Sequence, residues 1–388
     1  MTRWLPVGAS KPASPIELEL VAPAEAWPHR DGPAAGTGRT RVPLAIDRRA
    51  AWATTLPEGP RVSELRAIGG RVLALREPDP LGRQTLELLD DKGQHLRTIV
   101  GLAGDWAIDP RGVLLGRTID RELAAWTLDQ PERPPAFVSA RFDARELIAT
   151  RVLGDRLLVI TRQPRTLQRQ PDLLIDMLRI PDHAQVSRWR SLKIERLAER
   201  IAELCDRAVL GFDAAGPLLA SEGELAWFDW QLGLRARVDC PLRVIALAPR
   251  SDARTWLLAE RAGKPELWKI GPGVCERVIA LEPALTDANA ILVAPDDAAV
   301  LVSSTRIACF DERGEPRWTF ARRGRATGIV DPRGTTLVGH DAKLIAVDST
   351  GKFSPVWTAP GDVAELGPIA AASGMVWVGA GSRLFALA

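Results

Sequence analysis

The chain has 388 residues, 46% hydrophobic and 26% charged, with a formal net charge of +2. That is the balance of a folded protein able to bury a sizeable core, without the electrostatic character of a nucleic-acid binder. The 32 Gly and 30 Pro argue against long helices and coiled coils, and no run of 18 apolar residues exists to cross a membrane as a helix.

The aromatic set is uneven: 13 Trp, 8 Phe and no Tyr. Asn occurs once, at Asn289, and Lys seven times. These three scarce residues have A/T-rich codons, so a GC-rich coding bias accounts for them. It does not account for the surplus of Trp.

Residues 1–44 form a Pro/Ala-rich extension carrying Trp4 and Trp27. The first residues, MTRWLPVGASKPASPIELELV, lack the apolar stretch of a signal peptide, so the expected location is the cytoplasm. An aromatic residue in such an arm is a candidate partner anchor, and Trp4 and Trp27 are assigned that role.

From residue 45 onward the chain is repetitive. AIDPRGVLLG (107–116) and GIVDPRGTTLVG (328–339) each read as strand, turn, strand, with Asp-Pro-Arg-Gly as the turn. Looser copies lie at 67–77, 151–162, 211–222, 247–260, 293–304 and 370–381. A second motif follows each hairpin. Its fullest copies are TLELLDDKGQHLRTIV (85–100), RIACFDERGEPRWTF (306–320) and KLIAVDSTGKFSPVWT (343–358). Apolar alternation of period two marks these as half-buried strands joined by tight turns. One unit is therefore four short strands in about 40 residues. Such units bury their faces by radial stacking, which predicts an all-β, eight-bladed β-propeller of four-stranded antiparallel blades over 45–388, with seven blades as the alternative.

The last copy, ending in SRLFALA (382–388), has only three strands. AAWATTLPE (50–58) resembles the outer strands PRWTFARRG and SPVWTAPGD. It is expected to supply the missing strand and close the fold through Trp52 and its neighbours. Trp126, Trp227 and Trp268 are assigned to third strands, and Trp52, Trp189, Trp318 and Trp357 to outer strands. There a large ring fills the gap between sheets.

The interval between the third and fourth hairpins is long. It is expected to hold an insertion over about 161–206, with an amphipathic helix, SLKIERLAERIAELCD (191–206), capped by Ser191. Residues 151–200 carry a local charge of +5. Arg165, Arg169, Arg188 and Arg190 are accordingly assigned as partner-binding residues.

The pattern (L/I)-x-A-x-D-x-x-G-x-x-x-W, matched at 306–320 with Cys309 at the Ala position and at 343–358 with two extra residues, resembles the repeat of the PQQ-like propellers, a family that includes an outer-membrane assembly lipoprotein. The resemblance implies a fold and leaves the function open. A quinone-dependent enzyme of this family would be exported, with adjacent cysteines and a calcium site. This chain has Cys205, Cys240, Cys275 and Cys309 about 35 residues apart. That spacing matches no zinc site or disulfide framework and is read as a by-product of the repeat. The histidines are scattered, and His340-Asp341 is the single place for a catalytic guess. Paired aspartates such as Asp90-Asp91 and Asp296-Asp297 are read as turn residues.

The reading is thus a non-enzymatic interaction scaffold or adaptor in a bacterial multiprotein complex, without catalytic residues, cofactor or metal. Its size and degenerate repeats look like the propeller components that accompany MoxR-type AAA ATPases and vWA proteins in ternary conflict systems, implying one of those as partner. Nucleic acid and membrane are not expected. The alternative is a central-channel enzyme of dehydrogenase or lactonase type.

Overall fold

The computed structural model describes residues 50–68, 71–109, 113–119, 123–128, 136–137, 146–153, 156–162, 173–179, 190–196, 208–213, 215–221, 223–229, 232–250, 254–272, 274–325, 328–372 and 375–387. The extension with Trp4 and Trp27 lies outside them, as do Arg165, Arg169, Arg188, Trp189 and Cys205.

The strands follow one another as antiparallel neighbours. After β1 (Ala50–Thr55) come β2 (Val62–Ile68), β3 (Arg71–Arg76), β4 (Gln84–Asp90) and β5 (His95–Asp109). Next are β6 (Val113–Thr118), β7 (Leu123–Thr127) and β8 (Ala136–Phe137). β9 (Glu146–Leu153), β10 (Arg156–Arg162), β11 (Leu173–Arg179) and β12 (Arg190–Arg196) form one sheet. β13 (Ala208–Asp213), β14 (Gly216–Ser221), β15 (Gly223–Phe228) and β16 (Leu234–Cys240) form another. So do β17 (Arg243–Pro249), β18 (Thr255–Arg261), β19 (Lys264–Gly271) and β20 (Val274–Ala280). β21 (Ala290–Val293), β22 (Ala299–Val302), β23 (Arg306–Phe310) and β24 (Pro316–Ala321) make the next, and β25 (Gly328–Val330), β26 (Thr336–His340), β27 (Lys343–Val347) and β28 (Phe353–Thr358) the one after it. β29 (Ile369–Ala372), β30 (Met375–Ala380) and β31 (Arg383–Leu387) end the chain.

These sheets fall into two compact units. Among described residues, unit I holds 104–109 and 113–280, and unit II holds 50–103 and 281–387. Each contains four sheets, because the long β5 ends the β2–β5 sheet and its last residues begin the β5–β8 sheet. Among the described residues, predicted hairpins pair in register: 67–77 is β2–β3, 211–222 is β13–β14 and 328–339 is β25–β26.

The last sheet of unit II has the order β1-β31-β30-β29. The N-terminal strand therefore supplies the outer strand that the C-terminal repeat lacks, with Trp52 opposite Ala386 and Thr55 opposite Arg383. Trp52 Nε1 donates to the Asp91 carbonyl at 2.7 Å. This ties the closing strand to the turn between β4 and β5.

The predicted helix over 191–206 is corrected. Arg190–Arg196 is β12, with the expected cap Ser191 paired to Leu178 of β11. Leu192 and Ile194 alternate with polar neighbours, and the ladder offered by β11 selects that period-two pattern over the helical spacing. The described residues of 161–206 thus belong to strands of one sheet, and 163–172, 180–189 and 197–206 lie outside the described residues. Among described residues the helical content is a single 3-10 turn, Pro283–Leu285.

The Asp-x-x-Gly turns share one geometry. Oδ1 of Asp90, Asp311 and Asp348 accepts the backbone N–H groups two and four residues on, and Asp331 does the same in the β25–β26 turn. The Asp pairs are therefore turn residues, as expected; Asp296 likewise accepts from Ala298 N and pairs with Arg317. In unit I, Asp229 accepts from Gly233 N, and Leu232 takes φ 60° where the repeat elsewhere has Gly.

The glycine of this turn has two duties. Gly351 has φ 87°, and a Cβ there would collide with the Trp318 side chain of the preceding sheet. Gly93, with φ 79°, lies against Trp52 in the same way. Outer-strand Trp therefore docks on the bare turn of the next sheet. Trp357 faces a sheet without this turn, because its outer strand comes from the other end of the chain. It packs on Phe385 instead, ring centroids 5.0 Å apart. Trp126, Trp227, Trp268, Trp318 and Trp357 are all buried, as assigned, and Trp106, Trp256 and Trp377 join them from first and second strands.

Two predictions follow from this packing. Deleting residues 1–60 removes β1, and the truncated chain should aggregate or lose its cooperative thermal transition. Melting as high and as sharply as the full chain would exclude the closure. Separately, Gly82 has φ 76° with open space around it. Gly82→Ala should cost about 1–2 kcal/mol from backbone strain alone. Gly351→Ala should cost clearly more, since it adds about 1–3 kcal/mol of overpacking. Urea midpoints of the two variants give the comparison.

Candidate interaction surface

In a four-stranded meander the second-to-third turn and the exit of the outer strand lie at one end, opposite the Asp-x-x-Gly turns. In unit II this crossover end is laced by main-chain hydrogen bonds. Arg322 N donates to Thr305 O, and Asp341 N donates to Arg323 O. The next crossover repeats the arrangement: Ala359 N bonds Ala342 O, and Gly379 N bonds Pro368 O. So does the segment after β1, where Leu56 N bonds Ser382 O and Glu77 N bonds Arg61 O. Each crossover thus bonds the turn of its own sheet and that of the next.

Buried guanidinium groups complete the bracing. Arg322 is 4% exposed and donates to the carbonyls of Ser303 at 2.6 Å, Gly324 at 3.0 Å and Gly339 at 3.2 Å. Burial pulls its pKa down to about 10, so it remains cationic at neutral pH. Arg76 donates to Glu87 Oε1 at 2.8 Å and to the carbonyls of Pro57 and Pro60. It thereby holds the segment between β1 and β2. Burial pushes the Glu87 carboxyl up, but bonds from Thr98, His95 and Arg76 together outweigh it and hold the group below the usual carboxylate range.

On this frame stand exposed side chains. Asp79 accepts from Leu81 N, Arg83 N and Arg83 Nε, a turn that presents Leu81 at 76% exposure. Arg325 is exposed, its backbone N–H bonded to Glu365 and its guanidinium 3.9 Å from Glu77. Arg383 makes a bidentate pair with the exposed Asp362. None of these residues was singled out from the sequence. The available signal was EPDPLGR at 77–83, whose Pro and Asp spacing marks a rigid turn around a lone Leu.

His340 lies at the end of β26 with Asp341 in the following turn, as expected from the hairpin. Its Nδ1 accepts the Arg323 N–H at 3.0 Å, and its Nε2 is 3.8 Å from Asp341 Oδ2. The ring is therefore engaged in holding the crossover. His95 is bonded to Glu87 at 2.9 Å. Among the described residues no group of three His, Cys, Asp or Glu side chains is placed to hold a metal ion. Of the residues assigned to partner binding, Arg190 is the first residue of β12. Arg165, Arg169, Arg188, Trp4 and Trp27 fall outside the described residues, as do His29 and His183.

No protein-family profile and no curated protein matches the sequence. Solved structures do match. The Dos1 propeller superposes with a TM-score of 0.60 at 9% identity, covering 89% of this chain and 95% of that one. Sqt1 of Saccharomyces cerevisiae gives 0.54 at 9% identity, covering 89% and 98%. The chain has the β-propeller fold these structures share. Among the described residues no helix is long and apolar enough to cross a membrane.

The Glu87 network carries a pH prediction. A carboxyl with a depressed folded pKa stabilises the fold above its unfolded value, about 4.3, and that contribution is lost as pH falls through the lower folded value. In the wild type, stability should therefore drop through this acid interval. In Glu87→Gln the slope there should be shallower and the neutral-pH stability lower by about 1–3 kcal/mol. Urea denaturation at a series of pH values measures both.

Proposed function

We propose that this chain is a non-enzymatic, cytoplasmic interaction scaffold of a bacterial multiprotein complex, built as an eight-bladed propeller with PQQ-like repeats. Four sheets in each unit support that blade number. The observation that carries the functional reading is the crossover end of unit II. There Leu81, Arg325 and the Asp362–Arg383 pair are exposed on loops that main-chain bonds and buried arginines already hold in place. Preorganised loops lose little conformational entropy on docking, and Arg, here Arg325 beside the exposed Leu81, is enriched among the residues that carry binding energy. The partner proposed is a protein, of the AAA ATPase or vWA class that the size and degenerate repeats suggest. The basic stretch around Arg190 is a second contact in this reading.

Affinity purification of the tagged full chain from its native host tests it. One protein should co-purify in stoichiometric amount. The double variant Leu81→Asp, Arg325→Glu should recover at least tenfold less of it, with an unchanged melting temperature. A set replacing Arg165, Arg169, Arg188 and Arg190 with Glu tests the second contact in the same assay. Recovery of calcium or a quinone with the chain, and no protein, would overturn the scaffold reading.

A further inference from the structure

The repeat places a thiol pair where two sheets of unit I meet. Cys240 ends β16, the outer strand of the β13–β16 sheet, and Cys275 is the second residue of β20, the outer strand of the β17–β20 sheet. Both belong to one apolar cluster with Trp227, Val238, Trp268 and Ile270. Packed on that one cluster, the two thiols lie close enough for each to shift the other's titration. The same juxtaposition recurs in unit II with other side chains. Phe320, near the end of outer strand β24, meets Phe353, at the start of outer strand β28, with ring centroids 4.9 Å apart. Contact between the end of one outer strand and the start of the next thus occurs in both units. The 35-residue spacing of the cysteines puts two thiols at that point.

We propose that Cys240 and Cys275 form a reversible disulfide that staples the two outer strands, made by exchange with a low-molecular-weight disulfide. Cys275 is half-buried and reachable, whereas Cys240 is 1% exposed, so Cys275 reacts first. Its thiolate attacks one sulfur of the reagent. The reagent's S–S bond breaks, and the departing thiolate takes up the proton that Cys275 gave up. Cys240 then loses its proton and attacks Sγ of Cys275. The mixed S–S bond breaks and the second reagent thiolate leaves with that proton. The cysteine pair is oxidised by two electrons and the reagent is reduced to two thiols. The electrostatics favour this order: the Cys240 S–H bond and then the nearby Arg261 hold the Cys275 thiol below its ordinary range, while Cys240 is pushed up by that same bond and by burial. Cys309 is buried in unit II, which raises its thiol to about 12, and it serves as an internal control.

The test uses the reduced full chain incubated with oxidised glutathione at neutral pH, then digested and mapped without reduction. A Cys240–Cys275 cross-linked peptide is expected, reversed by dithiothreitol, with Cys309 unmodified. Cys240→Ser should stop at the glutathione adduct on Cys275, and Cys275→Ser should leave Cys240 unmodified; Cys240→Ala repeats the first result if the Ser variant folds poorly. In the native oxidised chain, protease cleavage between residues 240 and 275 should slow on the order of tenfold or more, because closing the loop restricts local opening. A native wild-type chain that ends as a stable glutathione adduct on Cys275, or that cross-links only in urea, overturns the proposal.

Discussion

The pairing of β1 with β31 is the constraint on which unit II depends. Without it the C-terminal sheet would have three strands and an exposed hydrogen-bonding edge along Arg383–Leu387. The apolar cluster that includes Trp377 and Phe385 would also lose Trp52, which packs against it. The ladder joins residues more than 300 positions apart in sequence. The loop-closure entropy is correspondingly large but grows only slowly with length. What offsets it is concentrated nearby. Trp52 rests on Gly93 and donates to Asp91, and Arg76 grips the carbonyls of Pro57 and Pro60 as the chain leaves β1. One short strand is thus held by an edge ladder on one side and by a buried guanidinium behind it.

The same economy governs the contacts between sheets. An outer-strand Trp needs a flat partner, and an Asp-braced turn with a glycine at positive φ provides one. The aspartate satisfies the backbone donors that the turn exposes, so the ring meets carbon and has no orphan N–H beneath it. Where the chain cannot form that turn, at the sheet completed by β1, an aromatic pair between Trp357 and Phe385 replaces it. Trp surplus and Asp-x-x-Gly recurrence are therefore two halves of one packing device. This is why both were visible in the sequence.

The strands were legible because period-two alternation and turn residues act locally. Asp331-Pro-Arg-Gly334 and Asp348-x-x-Gly351 specify their hairpins with no help from the rest of the chain. The closing role of 50–58 was legible too, since its resemblance to other outer strands met a repeat that lacked one. The stretch 191–196 was misread because Leu192, Leu197, Ile201 and Leu204 also fit a helical stripe, and only the partner strand β11 decides between the two periods. Sequence carries the alternatives, and tertiary pairing carries the choice.

The candidate surface was less legible for a different reason. Arg322 and Arg76 are ordinary arginines in a chain with many. What separates them from Arg323 and Arg325 is the ring of carbonyls around their guanidinium groups, which belongs to loops of neighbouring sheets. The same holds for the cysteines. Cys240 and Cys275 looked like an echo of the repeat, and they are, but a repeat is also a rule about which positions touch. At one sheet pair in each unit the end of one outer strand meets the start of the next. A side chain repeated at about one blade's interval can therefore meet its own copy. Aromatic residues use that meeting point for packing in unit II, and in unit I it brings together the two side chains whose contact can become a covalent bond.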